Sequence, residues 1–167
     1  MAKIAKPATV TPPLQNPDMP NQYCHILLVE DSLTDAILFK ETFKDLAINP
    51  VVSHVTDGVK ALELLRQTSA TSGLNDAHNR PDLILLDLNL PRMDGRELLT
   101  ILKSDPELRT IPVIVLSTSS AERDVQYCYE HYVNCYLKKP VDLSSFTELA
   151  RAIDLFWLER VVLPAKT

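Results

Sequence analysis

Short runs of consecutive apolar residues recur along the chain, and between them the apolar positions are spaced three or four residues apart. The apolar runs cover residues 25–29, 50–55, 83–86, 112–116 and 133–137. Short runs bounded by Pro, Gly or acidic residues are typical of strands that are buried on both faces of a parallel sheet. The pattern therefore predicts five strands.

The segments between these strands follow a helical spacing. Helices are predicted from Ser32, a suitable N-cap, to about residue 45, and over residues 59–66, 95–103, 121–131 and 142–158. Residues 67–80 are rich in Ser, Thr and Asn, and they are predicted to form a polar loop. This loop is long for a compact domain, so part of it could extend the preceding helix.

Strands that alternate with helices imply right-handed crossovers and a parallel sheet covered on both faces. We therefore predict an α/β fold with a doubly wound, five-stranded parallel sheet and five helices. Periodicity does not determine the strand order, but the common flavodoxin-like order is 2-1-3-4-5. We assign residues 23–158 to this single domain, residues 1–22, with five prolines, to a flexible tail, and residues 159–167 to a C-terminal extension.

Polar side chains stand at the ends of four of the predicted strands. Glu30 and Asp31 follow the first strand, Asp87 the third, Ser117 the fourth and Lys139 the fifth. In the order 2-1-3-4-5 the first and third strands are neighbours, which would place Glu30 and Asp31 beside Asp87. The sequence thus predicts a polar crevice at the carboxyl edge of the sheet.

The chemistry of this crevice points to a cation and a phosphoryl group. Crowded carboxylates repel one another unless a cation neutralises them, and Mg²⁺ prefers oxygen ligands. Asp31, Asp87 and the backbone carbonyl of Asn89 could supply such ligands. A carboxylate can also act as a nucleophile toward phosphorus, with Lys139 and Ser117 contacting the phosphoryl oxygens.

The motifs that carry these residues resemble a known family. They are Glu30-Asp31, Asp87-Leu-Asn-Leu-Pro91 with Asp94-Gly95, Ser117 after an apolar strand, and Lys139-Pro140. Together, over residues 24–158, they resemble the receiver domain of two-component response regulators. Any one motif is weak evidence, whereas all four in this order are strong evidence.

The resemblance implies a role for each matching residue. It implies that Asp87 is the phosphoacceptor, and that Asp31, Asp87 and the Asn89 carbonyl hold Mg²⁺, for which Ca²⁺ or Mn²⁺ could substitute, with Glu30 acting through water. It further implies that Ser117 and Lys139 contact the phosphoryl group and that Tyr136 is the switch side chain. The Lys139–Pro140 bond is often cis in such domains. The protein would then be a phosphoacceptor that assists its own phosphorylation and dephosphorylation rather than an enzyme.

Two departures and a narrower likeness refine this interpretation. The first acid is Glu30 where Asp is commoner, and the chain ends soon after the fifth helix, as expected for a stand-alone regulator. Residues 133–137 and 156–164 resemble the small regulators that partner cyanobacterial-type phytochrome histidine kinases. That likeness implies a phosphohistidine on a light-sensing kinase as the phosphoryl donor, and a homodimer.

Composition excludes several other classes of partner. The net charge of −5 and a longest basic run of two residues, Lys138-Lys139, argue against nucleic acid. No apolar run approaches the length of about 20 residues that a membrane-spanning helix requires, and the first residues lack the apolar core of a secretory signal. Three cysteines in apolar settings are then expected to be reduced, in a cytoplasmic protein.

The C-terminal residues carry more apolar side chains than one core-facing stripe needs. Phe156, Trp157 and Val161, with Tyr127 on the fourth helix, are therefore candidates for a dimer interface. The alternative is that this segment folds back on its own domain.

Other functions are compatible with parts of the pattern. An aspartyl phosphatase usually carries Asp-x-Asp on one strand, and here the second position is Asn89. A metal-free interaction module could keep the same fold, with Asp87 as a strand-end cap. A flavodoxin-like cofactor carrier is disfavoured because the chain has only three glycines. Ser119 or Ser120 is expected to cap the fourth helix, whatever Ser117 does.

Overall fold

A computed structural model describes residues 24–46, 48–70 and 80–164. The predicted tail, residues 1–22, lies outside the described residues. So do most of the polar loop after the second helix and residues 165–167 at the C-terminus. The division of the chain into tail, domain and extension therefore stays a prediction.

The described residues form one parallel sheet in the order β2-β1-β3-β4-β5, with helices between the strands. This confirms the predicted α/β fold with a doubly wound sheet. The elements, in chain order, are β1 His25–Val29, α1 Leu33–Lys44, β2 Val51–Val55, α2 Gly58–Ala70, β3 Leu83–Leu86, α3 Gly95–Ser104, β4 Val113–Ser117, α4 Glu122–Glu130, β5 Cys135–Lys138 and α5 Leu143–Ile153.

Two of the helix ends differ from the simplest expectation. Helix α2 continues to Ala70, so part of the predicted polar loop does extend it. Helix α5 gives way to a π-helical turn, Asp154–Leu158, which carries the chain to the predicted end of the helix.

Side-chain capping fixes where three of the helices begin. The Ser32 hydroxyl accepts a hydrogen bond from the Asp35 amide, as predicted for α1, and Asp94 and Asp142 cap α3 and α5 in the same way. Helix α4 differs, because its N-cap is Ala121. The prediction that Ser119 or Ser120 caps this helix is wrong: the Ser119 hydroxyl donates to the Asp124 carboxylate at 2.6 Å instead.

The core lies on both faces of the sheet because the central strands alternate their side chains between the faces. Side chains such as Leu27, Ile84 and Val115 pack with α2, α3 and α4, whereas Ile26, Leu85 and Ile114 pack with α1 and α5. All four residues of β3 are fully buried. This burial explains the unbroken apolar run before Asp87.

The peptide bond between Lys139 and Pro140 is trans, since none of the described peptide bonds is cis. The expectation of a cis bond, which rested on the resemblance alone, is therefore wrong for this structure. The trans form is also the intrinsically favoured isomer before proline.

Within the part of the chain that the structure describes, no helix combines the length and the apolar character needed to cross a membrane.

Candidate functional site

The sheet brings the predicted polar residues to one edge. Strands β1 and β3 pair in parallel with Val29 opposite Leu86, so Glu30 and Asp87 leave the sheet at the same level. The Asp87 amide donates to the Val29 carbonyl at 3.0 Å. On the other side of β3, the Lys139 amide donates to the Ser117 carbonyl at 2.8 Å. The predicted crevice at the carboxyl edge is therefore present.

Three carboxylates converge in this crevice. Glu30, Asp31 and Asp87 each offer one oxygen, and these oxygens all lie within 4.8 Å of one another. Glu30 and Asp87 are buried, whereas Asp31 is exposed. The crevice thus has an inner pair of carboxylates and one carboxylate that reaches it from the solvent side.

The ammonium of Lys139 lies between the acids and is itself buried. Its Nζ is 2.5 Å from Glu30 Oε2, 2.7 Å from Asp35 Oδ2 and 2.9 Å from Asp87 Oδ2. Burial by itself lowers the pKa of this lysine, but the hydrogen bonds that its ammonium donates to the three carboxylates outweigh burial and hold the pKa above its ordinary value. Lys139 is therefore a permanent positive charge in the site, as its predicted phosphoryl contact requires.

The two inner carboxylates are held in the same way. Glu30 Oε1 accepts the Ser32 amide at 3.0 Å and Asp87 Oδ1 accepts the Asn89 amide at 3.0 Å, while the second oxygen of each faces Lys139. Burial raises the pKa of Glu30 above its ordinary value, and the opposing effect of Lys139 does not fully offset it. The buried Glu30 carboxylate is thus harder to ionise than an exposed one, even with Lys139 beside it.

Asn89 and Ser117 lie beside the acceptor carboxylate. The backbone amide of Asn89 donates to the Asp87 carboxylate. The role of the Asn89 carbonyl as a metal ligand stays a prediction. Ser117 is fully buried at the end of β4, where its hydroxyl accepts the Ser119 amide at 3.2 Å. Its contact with a phosphoryl group likewise stays a prediction.

Tyr136 joins β5 to the loop after β4. Its hydroxyl donates to the Ser119 carbonyl at 2.8 Å, and its ring packs on the α3–α4 side of the core. Burial raises the pKa of this phenol. The Tyr136 hydroxyl is therefore hydrogen-bonded to the loop that follows β4. Its role as a switch stays a prediction.

Gly95 allows α3 to start against the acceptor strand. The Gly95 amide donates to the Leu88 carbonyl at 2.9 Å. A Cβ at this position would come within 2.7 Å of the Leu88 Cα and closer still to the carbonyl oxygen of Asp87. The Asp94-Gly95 motif thus combines a helix cap with close backbone approach.

Three ion pairs around the site were not predicted from the sequence. Asp35 reaches Lys139 from the first turn of α1, and Arg92 pairs with the buried carboxylate of Asp57. The third joins α3 to α4 through Arg96 and Asp124, which are 3.0 Å apart. Asp35 lies in the first turn of α1, close in sequence to Glu30 and Asp31, and this proximity is the signal by which the sequence could have indicated it.

The four interface candidates have different environments. Tyr127 is partly buried, with its hydroxyl 2.9 Å from the Thr100 hydroxyl. Trp157 is half-buried against the α1–α5 side of the core, and Val161 is also half-buried, whereas Phe156 is exposed. One part of the C-terminal segment thus packs on its own domain, and the other part forms an exposed apolar surface.

A hard divalent cation fits the side chains of this crevice. The donor set is three carboxylates, which is the oxygen-rich type that Mg²⁺ and Mn²⁺ prefer. Asp31, Asp87 and Glu30 are the residues that would hold the ion, directly or through water.

Comparison with known families agrees with this fold. A family model described as the response regulator receiver domain matches residues 26–151. The chain belongs to this family of receiver domains.

Two individual proteins are similar to this chain over most of its length. Response regulator Rcp1 of Synechocystis sp. (strain ATCC 27184 / PCC 6803 / Kazusa) is 46% identical over 140 residues, which cover 84% of this chain and 92% of Rcp1. The probable methanogenesis regulatory protein FilR2 of Methanothrix harundinacea is 37% identical over 80% of this chain and 83% of its own length.

Solved structures give the same result. The phosphorylated cyanobacterial phytochrome response regulator RcpA superposes with a TM-score of 0.77 at 43% identity, covering 86% of this chain and 99% of RcpA. The Mn²⁺-bound form of Rcp1 superposes with a TM-score of 0.76 at 46% identity, over 85% and 99% of the two chains.

Proposed function

We propose that this response regulator accepts a phosphoryl group on Asp87, with Mg²⁺ bound beside it, from a phosphohistidine of a histidine kinase. The observation that carries the proposal is the position of the Lys139 ammonium, 2.9 Å from Asp87 Oδ2 inside a group of carboxylates. A buried carboxylate with a fixed cation at hydrogen-bond distance is suited to accept a dianionic phosphoryl group.

The transfer follows from the groups in the crevice. A carboxylate oxygen of Asp87 forms a bond to phosphorus while the bond from phosphorus to the donor imidazole nitrogen breaks, and the imidazole leaves. Lys139 and the Ser117 hydroxyl are available to contact the phosphoryl oxygens. A bound Mg²⁺ supplies further neutralisation of the charge on the phosphoryl group. The protein is thus an acceptor that assists its own phosphorylation and dephosphorylation.

The response to phosphorylation would pass through the loop after β4. This loop starts at Ser117 and is linked to Tyr136 and to Asp124 through Ser119. A phosphoryl group that draws the Ser117 hydroxyl toward Asp87 would shift this loop and the faces of α4 and β5 beside it.

A test of the acceptor uses radiolabelled acetyl phosphate with Mg²⁺. The wild type and Asp45→Asn, which alters an exposed carboxylate at the C-terminal end of α1, are expected to take up label that is labile in base. Asp87→Asn is expected to take up none. Equal labelling of the Asp87→Asn protein would contradict the assignment.

An exposed apolar surface beside the crevice is available for contact with the protein that donates the phosphoryl group. Leu33 and Ile37 lie one turn apart on α1 and are exposed, and Val141 and Leu143 are exposed just after Lys139. Because a donor imidazole must reach Asp87, the donor protein has to cover this rim. The relative RcpA, a phytochrome response regulator, supports a kinase of the phytochrome type as that donor. Purified kinase of this type is expected to transfer its phosphoryl group to the wild type but not to Asp87→Asn.

We also propose a homodimer formed through the C-terminal segment, where Leu155, Phe156 and Val162 are exposed apolar residues. A cytoplasmic location follows from a kinase donor of this type, and the three free cysteines suit a reducing compartment. Nucleic acid is not proposed as a partner, because the net charge is −5.

A further inference from the structure

The ammonium of Lys139 and a divalent cation compete for the same oxygens. Each inner carboxylate has one oxygen on a backbone amide, from Ser32 or Asn89, and the other on Lys139 Nζ. The oxygens most readily transferred to a metal ion are therefore the two that Lys139 contacts. A divalent cation there would also repel the ammonium at close range.

Lys139 therefore needs another partner when a cation binds. Its side chain is 5% exposed, so it has little access to water that could replace a lost carboxylate. An ammonium that gave up both Glu30 and Asp87 without a replacement would be an uncompensated buried charge.

Among the carboxylates of the described residues that contact Lys139, Asp35 is the one that lies outside the acidic group suited to the metal ion. Its Oδ2 lies 2.7 Å from Lys139 Nζ, and its side chain is 29% exposed, against 1% for Glu30 and 8% for Asp87. It belongs to the first turn of α1, which the Ser32 hydroxyl fixes through the Asp35 amide. A shift of the ammonium toward Asp35 is thus a shift outward, away from the inner carboxylates.

We infer that Asp35 is a positioning residue that receives the Lys139 ammonium when a divalent cation takes up the oxygens of Glu30 and Asp87. This inference rests on the cation site of the proposed function. Asp35 lets one buried lysine neutralise the metal-free site and still remain within the crevice, beside the incoming phosphoryl group, when the metal is bound. Without Asp35, Lys139 stays on the inner carboxylates and opposes the metal.

The test measures Mn²⁺ affinity, from the electron paramagnetic resonance signal of free Mn²⁺ in titrations of the full chain. Asp35→Asn is expected to bind Mn²⁺ roughly tenfold more weakly than the wild type, and Asp35→Glu is expected to restore most of the affinity. Circular dichroism confirms that each variant is folded.

A second pair of variants separates this role from the simple loss of a negative charge. In a Lys139→Met background the competing ammonium is gone, so Mn²⁺ should bind more tightly than in the wild type. Adding Asp35→Asn there should lower the affinity by about threefold at most, through the lost charge alone. If Lys139→Met does not fold, Lys139→Gln is used in its place.

Three results would overturn the inference, and they are distinguishable. Unchanged affinity in Asp35→Asn would show that Lys139 needs no second partner. An equal loss of affinity with and without Lys139 would show that Asp35 acts only through its charge. A wild type that binds no Mn²⁺ would remove the cation site, and with it that part of the proposed function.

Discussion

A side chain at Gly95, the first residue of α3, would collide with the backbone that follows the acceptor strand. Because a Cβ would meet the backbone of Asp87 and Leu88, no side-chain rearrangement can make room for it. Gly95→Ala is expected to lower the free energy of unfolding by about 3 kcal/mol. It should also slow labelling of Asp87 by acetyl phosphate, because the acceptor backbone must move. Urea unfolding measures the first effect.

Gly58 provides the matched control. A Cβ there would meet the side chain of Met93, at 2.8 Å from its Cγ and 2.9 Å from its Sδ. A methionine side chain is flexible and can move aside, so Gly58→Ala should cost less than about 1 kcal/mol. Similar losses in the two variants would show that backbone contact is not what distinguishes Gly95.

Single residues could be predicted from the sequence where the chain places them at strand ends. Asp87 and Lys139 follow apolar runs, and a parallel sheet in the order 2-1-3-4-5 then brings them to the same edge. The pairing of Asp57 with Arg92 had no such signal, since it joins residues 35 positions apart. Arg92 also has a φ of 67°, which no local pattern in the sequence indicated.

At the scale of elements, this ion pair joins the start of α2 to the loop between β3 and α3. Asp57 is buried and accepts the Lys60 amide at 3.0 Å, as a helix cap does, while Arg92 donates to its second oxygen. Burial acts to raise the pKa of Asp57, but the Lys60 amide and the Arg92 guanidinium outweigh it and lower the pKa below its ordinary value of 3.8.

This lowered pKa predicts an acid-dependent loss of stability. The stabilisation from Asp57 is fully present above its unfolded pKa, near 3.8. It declines as the pH falls through the lower pKa of the folded state. The free energy of unfolding of Asp57→Asn should therefore be about 1–2 kcal/mol lower than that of the wild type at pH 7. It should also change less with pH below pH 4. Urea unfolding between pH 2.5 and 7 measures both, with the exposed Asp45→Asn as the control that should match the wild type.

The C-terminal segment divides between its own domain and the surface. Trp157 packs on the α1–α5 side of the core, whereas its neighbour Phe156 is exposed. Phe156→Ser is therefore expected to weaken the proposed dimer with little loss of stability, and Trp157→Ala to lower the free energy of unfolding by about 2 kcal/mol. Light scattering after size exclusion, with thermal unfolding, separates the two effects. A dimer unaffected by Phe156→Ser would place the interface elsewhere.

At the scale of the whole molecule, the acidic crevice links metal binding to folding. The metal-free site holds three converging carboxylates and one lysine, so a bound cation relieves repulsion in the folded state that the unfolded chain does not have. Mg²⁺ at ten times its dissociation constant should raise the free energy of unfolding by about 1.4 kcal/mol. Chelation should reverse the gain, and Asp31→Asn should lose most of it. An equal gain in that variant would place the ion outside the crevice.

The fold as a whole was the most predictable property of the chain. Alternating strands and helices determined the sheet type, because parallel strands need crossovers and helices to cover both faces. The strand order came from a common doubly wound arrangement rather than from the residues, and the structure confirms it. Contacts that depend on side-chain packing across elements, such as Arg96 with Asp124, required the structure itself.

Placing the acceptor on β3 also bears on how long a signal would last. This strand lies at the centre of the sheet and all four of its residues are buried, so local fraying is not expected to expose it. Water would then reach an acyl phosphate on Asp87 only from the loop side. The rate of signal decay should therefore be adjustable by residues in the loops while the central strand remains unchanged.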